Sequence, residues 1–580
     1  MKIINFNNYL KEIILIISIL LLSIILGFLY YSNYPENTHS SNDFIFYIFF
    51  YDLIFITIII ILSKYNIINK IFNFIINKII ANKNKLLYCI FFILIISFLF
   101  FLIELFISKY IINSYFIWQR FLFMTISGIS LFFIFLFKGK PEKIFLSLSL
   151  LIGLLYVVTL PISLVSWDEE SHYKWSVQQS SFLKTYLTQA DANIKSLPLN
   201  DYYNKDTRKI KIKERNDDDK IFYNFIKKET NNLYLLIAHI PSSIGIFIGR
   251  CLGLPWSVKF IFGRFMNILV YSFVIYFAIK KIPYGKYIIS VIALTPTIFF
   301  IASNYSYDQW VFAWLLLGLS YYIYELHNPD KKIENKNIFI MFLSFFLGLG
   351  PKSIYFPLIF ILYFLKEKKF PNYERFNKYI ISVSVLIIFV ILSFALPFLI
   401  NTKSTTDLRG GVDVSSGTQL NWILTNPIEY TKILIKFLIN YLNLRNTSDF
   451  LSLFAYLGYI NFYSTYILII FLIIVTFTDE NKQSIYINTK IKFVFLISCF
   501  FTIILISTAL YISFTPVGSS TINGVQPRYL LPFLCPILLL LRKSNIIRSE
   551  NIKIYSIIVF IISSYFLLSG LWSVCISKYN

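Results

Sequence analysis

Cysteine is scarce in this chain: its 580 residues hold five. They are Cys89, Cys251, Cys499, Cys535 and Cys575. All lie in or beside apolar runs and none forms a C-x-x-C pair, which excludes a disulfide framework and a thiolate zinc site. Histidine is scarcer still, and His39, His172, His239 and His327 are too scattered for a histidine metal cluster. Acidic residues number 30 against 53 basic ones, a net charge of +23. No basic segment is interleaved with stacking aromatics in a soluble stretch, so the excess reads as the Lys/Arg bias of cytoplasmic loops and not as a nucleic-acid surface. Also missing are the ~10-residue alternating segments of a membrane β-barrel. Internal repeats, which often mark secondary transporters, are missing too. No small-residue cleavage site follows the first apolar run, near 9–31, so that run reads as an uncleaved span.

What is abundant is apolar sequence. The chain is 57% hydrophobic and 19% aromatic, and its mean hydropathy is +0.67; soluble domains are about 45–50% apolar. The expected fold is an all-α polytopic membrane protein with about 13–15 transmembrane helices. Expected spans lie near 9–31, 43–65, 86–108, 115–137, 144–165, 256–280, 285–303, 309–326, 378–400, 462–478, 490–514, 528–541 and 553–577. Residues 233–253 read as a helix at the interface. The run 338–365, broken by Gly348-Leu349-Gly350-Pro351-Lys352, reads as two short helices turning at the outer face. The interrupted stretch 430–461 reads as interfacial or re-entrant. Lysines at 66–85 and 138–143 place the N-terminus inside and the long polar interval 166–232 outside. A second outer loop covers about 401–429.

The stretch Ser166 to Trp175 opens that first outer loop. Ser166 and Glu169 have the spacing of a capping box, which would start a helix there. Asp168 and His172 would then share one helix face. Glu169 suits the helix dipole at such a start, which leaves Asp168 as the acid with a chemical role. Arg264, Asp308, Lys352 and Arg528 fall at the same outer level, where ionisable groups beside hydrocarbon are costly and often mark sites. Lys352, beside the glycines at 348 and 350, and Arg528 suit an anion such as phosphate. The glycines lack the spacing of a nucleotide-binding P-loop. Asp217-Asp218-Asp219 carries a D-x-D pattern but sits among lysines and reads as a solvated mixed-charge loop.

These residues carry a resemblance. Asp168-Glu169-x-x-His172-Tyr173, Arg264, the Pro296 span ending in Asp308, Lys352, and Gln526-Pro527-Arg528-Tyr529 together resemble a bacterial membrane-protein family, domain of unknown function 2142. That family is itself similar to the GT-C glycosyltransferases. Glu170 and Pro527 depart from its usual pattern. The resemblance implies a GT-C-like core over 144–545, with residues 1–143 an N-terminal addition and 546–580 a C-terminal helix. It implies transfer of a sugar from a polyprenyl-phosphate donor to a cell-envelope glycan, at the outer face of the bacterial cytoplasmic membrane. Asp168 would be the general base, with Glu169 second. Lys352 and Arg528 would hold the lipid phosphate, with Arg264 and Tyr529 in the substrate site. His172 and Asp308 would orient base or substrate, or help hold a divalent cation, Mg2+ or Mn2+. The alternatives are a transporter or flippase for lipid-linked saccharides, and an envelope-polymer ligase or polymerase. The implied partners are the lipid bilayer, the lipid-linked sugar and the glycan acceptor, with no nucleic acid.

Overall fold

The computed structural model describes residues 83–113, 115–180, 186–194, 199–225, 233–400, 413–443, 450–460, 462–479, 489–541 and 551–579. The expected spans at 9–31 and 43–65 lie outside them. The described chain is almost entirely helical. Among the described residues, seven helices are long and apolar enough to cross a membrane, and four shorter apolar helices accompany them. The protein is an all-α polytopic membrane protein.

The chain begins with α1 (Lys83–Phe106), α2 (Trp118–Leu136) and α3 (Pro141–Thr159). Pro161 follows the end of α3, and the turn after it leads into α4 (Glu169–Gln179). The long polar interval then folds into a small cap. Two short antiparallel strands, β1 (Tyr186–Thr188) and β2 (Phe222–Phe225), flank α5 (Lys205–Asp218). The Asp217–Asp219 triplet is therefore not an open loop. It closes a 14-residue helix, and Asp219 is held by Lys259 at 2.6 Å.

Next come α6 (Ile240–Cys251) and α7 (Trp256–Lys281). With twelve residues, α6 is about 18 Å long and falls short of ~30 Å of hydrocarbon. It crosses α7 closely at Gly245, where an added Cβ would stand 2.4 Å from the Phe262 carbonyl oxygen. Only glycine allows such an approach.

The expected span at 285–303 is broken. Two buried helices, α8 (Lys286–Ala293) and α9 (Pro296–Ala302), meet at Thr295. Pro296 cannot donate an N–H and forces Thr295 out of the helical region, so one rod cannot form. A buried loop, Ser303 to Tyr307, leads into α10 (Asp308–His327). Then α11 (Asn335–Leu349) and a 3-10 run, Ser353–Phe364, divide at the Gly350–Lys352 turn as the sequence suggests. The remaining helices are α12 (Tyr373–Ile400), α13 (Ser416–Thr425), α14 (Pro427–Tyr441), α15 (Phe462–Thr478), α16 (Thr489–Phe514), α17 (Leu531–Leu541) and α18 (Ile552–Val574). The centre of the bundle is α7, which packs on α3, α6 and α10.

Candidate functional site

Four segments far apart in sequence meet at one place: the turn into α4, the start of α10, the turn after α11, and the entry to α17. Each brings an ionisable side chain, and the four form a chain of alternating charge. Asp168 Oδ2 lies 3.3 Å from Arg528 Nη2. Arg528 Nε lies 3.1 Å from Asp308 Oδ2. Asp308 Oδ1 lies 2.5 Å from Lys352 Nζ. The side chains of Arg528, Asp308 and Lys352 are almost enclosed, whereas Asp168 keeps 35% of its surface.

Aromatic rings wall this chain. The Arg528 guanidinium stands 4.6 Å from the Trp167 ring and 5.6 Å from Tyr529. The Lys352 ammonium stands 4.0 Å from Tyr529 and 5.0 Å from Tyr307. Cations over ring faces are attracted by the ring quadrupole, more strongly when desolvated. Tyr529 is fixed through its carbonyl, which accepts from the Tyr355 hydroxyl at 2.9 Å. Burial lowers the Lys352 pKa to about 8; the carboxylate of Asp308 opposes that shift and the charge of Arg528 adds to it.

Asp168 adopts the left-handed backbone region, φ 52°, immediately before α4. A non-glycine residue there is uncommon and often marks a constrained site. It therefore precedes the helix and does not share a face with His172; its carbonyl accepts the His172 N–H at 3.2 Å. His172 is buried, with Nδ1 3.0 Å from Nε2 of His239. Its ring packs on Tyr307 at 4.6 Å, so Tyr307 touches both His172 and Lys352. His239 is held well below the ordinary histidine pKa by burial and by the charge of His172.

Glu169 and Arg264 occupy a different position from the one expected. Neither side chain has exposed surface, and they pair at 2.8 Å. Glu169 Oε2 also accepts from the N–H groups of Val165 and Ser166, at 2.7 and 2.9 Å. Arg264 donates to the carbonyls of Pro161 and Ser163, at 2.8 and 2.9 Å. Only half of the expected capping box forms: Glu169 reaches back to Ser166, but the Ser166 hydroxyl makes no cap. The pair knits the turn that leads into Asp168.

The sequence singled out all four charged members of the chain. It did not single out His239, Trp167, Tyr307 or Tyr355 as site residues, although Trp167 and Tyr307 directly precede the two acids. Among the described residues no group of three or more His, Cys, Asp or Glu side chains could hold a metal ion.

Searches of curated proteins and of solved structures found no match. A family model matches residues 150–538, a span that contains every residue of the ion-pair chain and its aromatic walls. The chain belongs to the family described as predicted membrane protein (DUF2142).

Proposed function

We propose that the protein is a glycosyltransferase of the cell envelope, moving a sugar from a polyprenyl-phosphate donor to a glycan acceptor at the outer face of the bacterial cytoplasmic membrane. The observation that carries this reading is the chain Asp168–Arg528–Asp308–Lys352, three of its members almost enclosed and the fourth open to the outside of the cluster. Burying charges costs several kcal/mol each unless they are paired, and a binding role gives a reason to retain them.

The charges suit the chemistry. At rest, two cations balance two carboxylates. Asp168, the exposed member, accepts a proton from an acceptor hydroxyl as that oxygen attacks the sugar C1. The C1–O bond to the phosphate breaks, and the bonding electrons leave with the phosphate oxygen. Protonation of Asp168 leaves Arg528 and Lys352 facing Asp308 alone. The site gains one net positive charge as the leaving phosphate gains negative charge. Asp308 holds both cations in place. The lipid tail remains in the bilayer while its phosphate meets this cluster.

Purified protein reconstituted with a labelled polyprenyl-phosphate sugar and a glycan acceptor tests the proposal. Wild type transfers label, and Asp168→Asn loses transfer by about 10²-fold or more. Full transfer by that variant removes Asp168 from the mechanism. Label crossing the vesicle membrane without transfer would point to a carrier instead.

A further inference from the structure

Helices α13 and α14 carry no member of the ion-pair chain, yet they hold the loop that delivers one. The side-chain oxygen of Gln419, on α13, accepts the Gly518 N–H at 2.9 Å. The Tyr441 hydroxyl, at the end of α14, donates to the Gln526 carbonyl at 2.8 Å. The loop that ends two residues before Arg528 is thus tied near both its ends. The first turn of α14 is anchored too: the Tyr430 and Thr508 hydroxyls lie 2.6 Å apart, and Thr508 sits in the last two turns of α16. Both ends of α14 therefore meet the segment that leads into Arg528. Its 15 residues span about 22 Å, short of ~30 Å of hydrocarbon. The helix runs alongside that segment and does not cross the bundle.

The surface of α14 has three faces. Tyr430, Ile433, Leu438 and Tyr441 are buried against the bundle. Away from them, Ile428, Ile435 and Ile439 are exposed, as is Leu442 just past the helix end; Ile428 keeps 74% of its surface and Ile439 keeps 69%. Leu420 and Leu424, one turn apart on α13, are exposed as well. Lys432 and Lys436 come next around the helix, then Glu429 and Asn440, all four exposed, at about 100° per residue. Lys432 touches Glu429 at 3.4 Å, an exposed pair weak enough to exchange for another anion. Going round from the isoleucines, the order is apolar, cationic, then acid and amide. It is the order of hydrocarbon, phosphate and water met on leaving a bilayer.

We infer that α13 and α14 form a membrane-surface mount for the Arg528 loop. The isoleucine face lies in the acyl boundary of the leaflet on the side of the ion-pair chain, and Lys432 and Lys436 reach phospholipid phosphates. A position in water would leave six large apolar side chains exposed to it, at a cost proportional to their area. A protein partner would cover the apolar face but gives no reason for lysines to stand between it and the polar side. Seated in the leaflet, the mount sets the height of Arg528 against the lipid phosphates. The inference stands apart from the reaction proposed above and needs only the geometry.

Full-length protein in phospholipid nanodiscs tests it by nitroxide scanning. The background is Cys89→Ser, the other four native cysteines being buried. Ile428→Cys, Ile435→Cys, Ile439→Cys, Glu429→Cys, Lys436→Cys and Asn440→Cys, all at exposed positions, are labelled one at a time. Collisions with oxygen, which concentrates in lipid, are compared with collisions with a water-soluble nickel chelate. Oxygen contact should exceed nickel contact at the three isoleucine positions, and the order should reverse at Glu429 and Asn440. Equal nickel contact at all six positions means that the helix stands in water and overturns the inference. Low contact with both reagents at the isoleucine positions means that protein covers the face, a second copy included, and overturns it too. Lys432→Glu combined with Lys436→Glu should shift the isoleucine labels toward nickel; an unmoved pattern overturns the phosphate contact. Tyr441→Phe should sharpen the spectrum of a label at Asn523→Cys, in the tied loop, and an unchanged line overturns the mount.

Discussion

Glu169→Gln separates the two neighbouring acids at the start of α4. The Glu169 carboxylate has no exposed surface, and each of its oxygens faces donors: Val165 and Ser166 N–H groups on one side, Arg264 on the other. A glutamine must present its NH2 group to one set of donors whichever way it turns. Removing one partner of a buried pair costs about 3–5 kcal/mol. That is about a 10²- to 4 × 10³-fold rise in the unfolded population, at ~1.4 kcal/mol per tenfold. Asp168→Asn weakens the 3.3 Å contact to Arg528 at a side chain 35% exposed, so its stability cost is about 0–1 kcal/mol. Denaturant titration of the solubilised protein, followed through its eight tryptophans, should therefore show a large drop for Glu169→Gln and a small one for Asp168→Asn. Transfer per folded molecule should show the reverse order. A Glu169→Gln protein as stable as wild type but inactive would refute the structural assignment of Glu169. Because Arg264 also holds the Pro161 and Ser163 carbonyls, replacing both partners should restore stability only in part.

Three further outcomes follow from the geometry. The Lys352 pKa of about 8 means that phosphate-lipid affinity falls as pH rises through that value. Since this pKa is depressed from 10.5, the unfolded chain binds more protons between about 8 and 10.5, and stability rises with pH across that window. Lys352→Arg should extend binding to higher pH, and a pH profile unchanged by that variant would exclude Lys352 as its source. At Gly263, an added Cβ would stand 2.1 Å from the Tyr305 hydroxyl, which donates to the Phe260 carbonyl. Gly263→Ala should cost about 1–3 kcal/mol and lower transfer by shifting the loop before Asp308; thermal unfolding and kcat check both. Lys369 pairs with Glu325 at 2.7 Å, both buried near the far end of α10. Lys369→Met should cost about 3–5 kcal/mol in denaturant titration while transfer per folded molecule is unchanged.

The members of the ion-pair chain are legible because each charge ends or interrupts an apolar run, where it is costly. Their pairing is not. No local rule tells Arg528 that it will bridge acids far upstream, since that contact arises only when four segments converge. Glu169 was legible as a helix-start residue but not as a buried ion partner, because S-x-x-E looks alike in both settings. A signal for Arg264 did exist. Phe260, Gly263, Arg264, Asn267, Ile268 and Tyr271 form the buried stripe of α7, at helical spacing, and an arginine on such a stripe needs an acid. The break at Thr295-Pro296 was masked by continuous hydropathy. The cap formed by α5 and the two strands was hidden by its charge, because its mixed-charge face is paired within the helix and to Lys259.

The backbone of Asp168 bears on how such a protein should be dissected. At φ 52° the residue occupies a region that asparagine tolerates and alanine does not, at about 1–2 kcal/mol for an ordinary L-residue. An alanine scan would alter two things here at once, the carboxylate and the local chain direction. Glycine would relax the chain, and asparagine alone would remove the charge while preserving the turn. Inactivity of an alanine variant at this position would thus be silent about proton transfer.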